Sequence, residues 1–258
     1  MSATLIIAEL GSSWRFGSDH LANAERMIRE AKSCGADVAK FQWTSDAKAM
    51  AARRGLGLDA ATMYERYLQF DKDWLTALKA SCDLHGMEFM CTVYLPQDIP
   101  VIAPLVKRMK VSAFESKDSA PKSFVEECYA TGKKVVISIN PDACQPRRIP
   151  HISYFLHCVS KYPTPLEEAQ QNKLADYYIG DDGEPYLTFH GLSDHTVSTL
   201  TGAVAVGTGA TIIEKPVRLW DTPQDNPDYG HSLILDSDGE DMSFAAYVRN
   251  VRAAERCM

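Results

Sequence analysis

Eight short apolar runs recur along the 258-residue chain, separated by stretches whose apolar positions follow a different period. The runs are Leu5–Leu10, Asp37–Trp43, Glu88–Tyr94, Met109–Phe114, Lys134–Asn140, Tyr154–Ser160, Leu187–Ser193 and Thr211–Val217. Their apolar character is continuous rather than alternating, the mark of strands buried on both faces. Helical patterns lie between them. Ser18 is placed to cap a helix that carries Leu21, Ala24, Met27, Ile28 and Ala31 on one stripe and stops at Gly35. Asp71 or Asp73 opens another, with Leu75, Leu78 and Cys82 on one side and Gly86 at its end. Ser123–Ala130, Ser198–Val206 and Ser243–Glu255 repeat the arrangement. Strand and helix in this alternation imply parallel strands with right-handed crossovers, and eight units in this length favour closure. The expected fold is an α/β (β/α)8 TIM barrel filling residues 1–258 as a single domain.

Two segments interrupt the alternation. Only thirteen residues, Pro141–Ser153, separate the fifth and sixth runs, and Pro141, Pro146 and Pro150 leave room for little helix there. Ser45–Gln69 is a long loop with a helical stretch near Ala60–Leu68, placed to cover one face of the barrel.

In a parallel barrel the carboxyl ends of the strands share one face, and the chemistry gathers there. Those ends carry Glu9, Lys40, Gln42, Thr92, Lys110, Glu115, Ser138, Ser160, Tyr162, Ser193, His195, Glu214 and Lys215. A strand buried on both faces has no structural need of lysine or glutamate, since a desolvated charge costs several kcal/mol unless paired. Lysines and hydroxyls converging on one cup point to a phosphate- or carboxylate-bearing substrate. Taken singly, His195 reads as a hydrogen-bonded structural histidine as readily as a ligand, and Lys40 as a residue snorkelling past the rim. Glu9 has the bland reading of an ion-pair partner for one of the lysines.

Composition narrows the classes. Lys+Arg 27 against Asp+Glu 34 gives a net charge of −7 without long runs of either sign, which offers no electrostatic reason for nucleic acid or an anionic membrane as partner. The seven cysteines are scattered without a C-x-x-C, so neither a disulfide framework nor a zinc knuckle is indicated, and a reducing, cytoplasmic setting is expected. No stretch approaches the roughly 18 apolar residues that span a bilayer.

Several strings, met in order, resemble the sialic acid synthase family: IIAELGSS, GADVAKFQ, LHCVSKYPTP, GLSDHT, TIIEK and PDYGHSL, from about residue 5 to residue 233. The resemblance implies condensation of phosphoenolpyruvate with N-acetylmannosamine or a related aldose, giving a 2-keto-3-deoxy sugar acid and phosphate. It implies that Lys40, Lys110, Thr92, Ser138 and Ser193 hold phosphoenolpyruvate, and that Gln42, Glu115, Tyr162 and Asp228 contact the aldehyde. Ser160 and Glu214 join the substrate-binding set on the same basis. Glu9 matches the carboxylate that activates the attacking water, and His195 one of two histidines that bind a divalent metal, Mn2+ or Mg2+.

The chain departs from that pattern in places. Pro216 stands where the second metal-ligating histidine is expected, and proline cannot ligate a metal; His231, near Asp228, is the candidate replacement. Ala113 and Ser112 replace a serine register on strand four, SIN ends strand five, and SSWRFG comes after Glu9. The family's small C-terminal antifreeze-like domain is expected to be missing after Met258. Two readings are open: a phosphoenolpyruvate-dependent synthase, acting on this or a different aldehyde with or without metal, and a degenerate barrel that binds an anionic ligand or a partner without turnover. A homodimer is compatible with the apolar residues on the outer helices.

Overall fold

The computed structural model describes residues 3–117, 124–140, 153–179, 185–187, 189–237 and 241–258. Eight parallel strands close into a barrel: β1 (Leu5–Gly11), β2 (Val38–Gln42), β3 (Glu88–Val93), β4 (Arg108–Val111), β5 (Lys134–Ile139), β6 (Ser153–Cys158), β7 (Gly191–Ser193) and β8 (Ile212–Arg218). Each pairs with the next in chain order, and β8 closes the ring on β1 with Ile7 opposite Glu214 and Glu9 opposite Pro216. The expected (β/α)8 barrel is therefore present.

Strand side chains alternate with period two, and in a closed barrel one set points inward. The inward set forms storeys. The lower one is apolar: Ile7, Val38, Met90, Val136, Leu156 and Ile212 pack together as a separate cluster. Two residues further along the same strands come Glu9, Lys40, Thr92, Ser138, Cys158 and Glu214, joined by Lys110 from β4 and Ser193 from β7. Two more residues on lie Gln42, Ser112, Ser160, His195 and Pro216, at the rim. The intervening residues, among them Ala8, Phe41, Cys91, Met109, Ile137, Phe155 and Ile213, face outward into the main core under the helices. Both faces are buried, which is why the strands read as continuous apolar runs.

The outer layer consists of α1 (His20–Ser33), α2 (Ala47–Arg53), α3 (Leu58–Tyr67), α4 (Asp73–Leu84), α5 (Ile99–Ile102), α6 (Phe124–Tyr129), α7 (Thr201–Gly207) and α8 (Phe244–Glu255). The cap of α1 is Asp19 rather than Ser18, its carboxylate accepting from the Ala22 amide at 3.0 Å. Ser45–Gln69 holds two helices rather than one, because the turn after Arg54 uses Gly55 at φ +68°. Met50, Ala51, Ala61, Tyr64 and Leu68 pack against Tyr94 and Leu95, fastening this segment over the barrel mouth. Strand β4 is shorter than expected, since the chain turns at Ser112, whose hydroxyl accepts from the Phe114 amide. Strand β7 is also short. Residues Pro185–Leu187 pair antiparallel with Tyr177–Ile179, and the Phe155 amide donates to His190 Nδ1 instead of a strand carbonyl. At Gly191 a Cβ would overlap the Ile212 carbonyl, so this strand contact requires glycine. Residues 141–152, including most of the expected proline-rich connection, and Ser123 lie outside the described residues.

Lys215 points away from the cup, unlike its neighbour Glu214. Its ammonium is fully buried between the barrel wall and α8, 2.8 Å from Asp194 Oδ2 and 2.7 Å from the Thr196 carbonyl. Asp194 also accepts from Thr201 and from the Tyr247 hydroxyl at 3.1 Å. Removing one member of such a pair strands a desolvated charge. Lys215→Met is expected to cost about 3–5 kcal/mol in urea unfolding, with part of it recovered in the Lys215→Met/Asp194→Asn double variant. A loss within about 1 kcal/mol for the single variant would show that the pair is not needed for the fold.

Candidate active site

The storeys open into a cavity of about 500 Å3, within the rough 300–1,000 Å3 range of small-molecule sites. Its floor is the charged storey. Lys40 Nζ donates to Thr92 Oγ1 at 3.1 Å, lies 3.6 Å from Glu214 Oε2 and contacts the Glu9 carboxylate. Lys110 Nζ donates to Ser138 Oγ at 2.7 Å and to the Val111 carbonyl, and sits 3.8 Å from Glu214 Oε1. Ser193 Oγ donates to Glu214 at 2.9 Å, and Gln42 donates to Glu9 at 3.1 Å while accepting from the Tyr94 hydroxyl. The Lys40 pKa is lowered to about 8: burial pulls it down, Glu214 opposes, and Lys110 adds to the lowering. Burial raises the Glu214 pKa, but Lys110 and Lys40 overcome it and hold the carboxyl below its ordinary value.

The rim on the β7–β8 side is ring-lined. Tyr162 lies 4.3 Å from the His195 ring and 5.1 Å from His231, centroid to centroid. His195 Nδ1 bonds the Val159 carbonyl at 2.9 Å, a contact that makes Nδ1 the protonated nitrogen and leaves Nε2 as an acceptor. Burial pushes its pKa down to about 4, the Val159 bond opposing, so the imidazole is neutral at pH 7. Asp228 is held from below by Ser12, whose amide and hydroxyl donate at 2.6 and 2.7 Å. That approach requires Gly11, at φ +46°, where a Cβ would overlap the Asp228 carboxylate.

Of the residues predicted from sequence, Glu9, Lys40, Gln42, Thr92, Lys110, Ser138, Ser160, Tyr162, Ser193, His195, Glu214, Asp228 and His231 all line this cavity. Glu115 does not: its buried carboxylate sits behind the wall, gripped by Arg54 and by the Ser112 hydroxyl. Arg54, Tyr94, Phe114 and Lys117 line the cavity and were not expected. Arg54 lies on the loop foreseen as a cover, but nothing local distinguishes it from Arg53, so only the tertiary packing of α2 and α3 could single it out.

A divalent ion needs several converging donors. Among the described residues no group of three or more His, Cys, Asp or Glu is arranged to hold one. His195 Nε2 is oriented as a ligand would be, but Pro216 fills the rim place next to it, and His231 Nε2 faces Asp228 Oδ1 at 3.5 Å. The donor set does not fit a resident Mn2+ or Mg2+ ion.

Fold and site together define an α/β barrel whose cup is floored by buried lysines, carboxylates and hydroxyls. The chain belongs to the NeuB family, whose model matches residues 27–258. Over 98% of its length it is 27% identical to N-acetylneuraminate-9-phosphate synthase of Mus musculus, covering 70% of that protein. It is also 27% identical to N,N'-diacetyllegionaminic acid synthase of Legionella pneumophila, over 97% of the chain and 72% of that protein. The crystal structure of N-acetylneuraminic acid synthetase from Leptospira borgpetersenii superposes with a TM-score of 0.78 at 21% identity, covering 99% of the chain and 85% of the other. No helix among the described residues is long and apolar enough to cross a membrane.

The donor set leads to an expected outcome for metal binding. After dialysis against micromolar Mn2+ the protein should retain no stoichiometric ion, and Pro216→His, which adds an imidazole beside His195, should raise retention. Stoichiometric Mn2+ on the unmodified protein would show ligands that this arrangement does not bring together.

Proposed function

We propose that the chain is a phosphoenolpyruvate-dependent condensing synthase that joins phosphoenolpyruvate to an aldose, such as N-acetylmannosamine or a related aldehyde, giving a 2-keto-3-deoxy sugar acid and phosphate. The observation that carries this reading is the charged storey: two buried lysines and three hydroxyls at one height on β2, β3, β4, β5 and β7, with a carboxylate, Glu9, among them. Glu214 balances both lysines, whereas Glu9, beside Lys40 and hydrogen-bonded to Gln42, adds a carboxylate that can serve as a base. Membership of the NeuB family supports the same reaction class.

In this reading Lys40, Lys110, Thr92, Ser138 and Ser193 hold the phosphate and carboxylate of phosphoenolpyruvate, as point charges and oriented donors. Its methylene carbon attacks the aldehyde carbon, forming the new C–C bond. The aldehyde oxygen becomes an alkoxide and takes a proton on the ring-lined side, where the Tyr162 phenol, protonated at neutral pH, is the donor. Water adds to the electron-poor C2, and Glu9 accepts its proton. The C2–O bond to phosphate then breaks, the pair leaving with phosphate, which takes the proton of the C2 hydroxyl as C2 becomes the ketone. Asp228, Gln42 and Ser160 meet the sugar hydroxyls. No step is assigned to a metal ion.

Phosphate release from phosphoenolpyruvate with a panel of aldoses tests the reading; no release with any aldehyde would overturn it and leave the ligand-binding alternative. Lys110→Ala should abolish release, and Glu9→Gln should slow it by roughly 10²–10⁴-fold. The pH profile adds a check. Lys40 must be charged to bind the anion, and its pKa in the free protein is lowered to about 8, so kcat/KM for phosphoenolpyruvate should fall as pH rises through about 8. Lys40→Arg should move that limb upward, because guanidinium stays charged; an unmoved limb would assign it to another group.

A further inference from the structure

Across the mouth from the ring-lined side, the cavity has a second cationic wall. In an eight-stranded ring β4 stands opposite β8, and the wall is built where β4 ends, from Phe114 and Lys117 with Arg54 from the end of α2. The Phe114 ring is 43% exposed and flanked by both cations, the Arg54 guanidinium at 5.1 Å and the Lys117 ammonium at 6.0 Å. Such contacts hold the cations against the ring without neutralising them.

Arg54 is fixed rather than free. Its Nε and Nη2 donate to the two Glu115 oxygens at 2.8 and 2.9 Å, and Nη1 donates to the Tyr64 hydroxyl at 3.1 Å. Those bonds use three of the five guanidinium N–H groups, leaving two for a ligand. The fork is held rigid by a carboxylate that itself has no access to the cavity, the preorganisation that bidentate anion binding needs. Lys117 is exposed and has no carboxylate partner among the described residues. Among the described residues, Arg54, Glu115 and Lys117 therefore leave this wall with one net positive charge, separate from the mutually balanced lysines and glutamates of the floor.

We propose that Arg54, Phe114 and Lys117 form a second anion subsite, and that the carbonyl substrate bears a phosphate or carboxylate at the end remote from its aldehyde. This rests on the condensing-synthase reading for which end of the substrate reacts, but binding at the wall does not depend on turnover. A sugar spanning the mouth would place its aldehyde near Tyr162 and His195 and its anionic end against Arg54.

The test compares N-acetylmannosamine, N-acetylmannosamine 6-phosphate and mannuronate, by calorimetric binding with phosphoenolpyruvate present and by phosphate release. At least one anionic sugar should bind about tenfold or more tighter than the neutral one, and which of the two does so separates phosphate from carboxylate. The surface variant Lys117→Glu and the paired variant Arg54→Gln/Glu115→Gln, which keeps a neutral hydrogen-bonded pair, should each remove that advantage. In both, affinity for phosphoenolpyruvate should be unchanged, showing that the fold and floor are intact. Equal binding of neutral and anionic sugars, or an advantage that survives both variants, would overturn the subsite. Anionic sugar binding that depends on Arg54 without phosphate release would retain the subsite and sink the synthase reading. Release with N-acetylmannosamine alone, indifferent to Lys117→Glu, would do the reverse.

Discussion

Four charges sealed into one storey of a closed barrel have to satisfy one another before any substrate arrives. Glu9, Lys40, Lys110 and Glu214 are each at most 6% exposed, so each charge costs several kcal/mol unless it is paired. The solution is a circuit: Glu214 stands between both lysines, Lys40 spans Glu214 and Glu9, and Thr92, Ser138, Ser193 and Gln42 add hydrogen bonds to it. The circuit is possible only because the strand register places these residues at one height. A slip of one residue would turn every one of them outward into the apolar layer under the helices. Barrel closure and site assembly are the same constraint.

That balance also explains how an anion can be bound where the lysines already have partners. Two positive charges confined together push against each other, and burial makes both ammonium groups costly; the lowered Lys40 pKa is the record of that cost. A phosphate or carboxylate entering the cup would compete with Glu9 and Glu214 for the lysine ammonium groups. It would also relieve Glu9 of its pairing to Lys40 and leave its carboxylate free to act as a base. In the proposed reaction, binding of the anion and activation of the base would come from one rearrangement of charge.

The floor was legible in the sequence because it obeys a local rule. Charged and hydroxyl residues near the ends of otherwise apolar strands must point inward or be paired, and period two says which do so. The same rule, applied without the register, misplaced Lys215: its neighbour Glu214 faces the cup, so Lys215 must face the helices, where Asp194 and Tyr247 receive it. Glu115 failed for a different reason. It lies beyond the end of β4, where the chain has already turned and alternation no longer predicts direction. Arg54 could not be read at all, since its role comes from two helices packing over the mouth through Tyr64, Tyr94 and Leu95, a contact between segments distant in sequence.

Floor and mouth are thus under different physical control. Floor residues are fixed by eight paired strands, and changing one breaks a circuit of buried charge, so reaction chemistry is the part of the site that tolerates least. The mouth is set by segments beyond the strand ends: the turn after β4, the α2–α3 segment, and the loop carrying Asp228 and His231. Here Arg54 faces the cavity and Glu115 lies behind it, an arrangement that leaves the register beneath undisturbed. Pro216 is the informative exception, a rim residue supplied by a strand and paired opposite Glu9. Because a proline there removes a side-chain donor yet leaves the inward storey below intact, the β8 end changes what the rim can bind while Glu214 keeps its place between the lysines. The floor and the rim of this barrel can therefore change independently, the one bound by the strand register and the other by the segments beyond it.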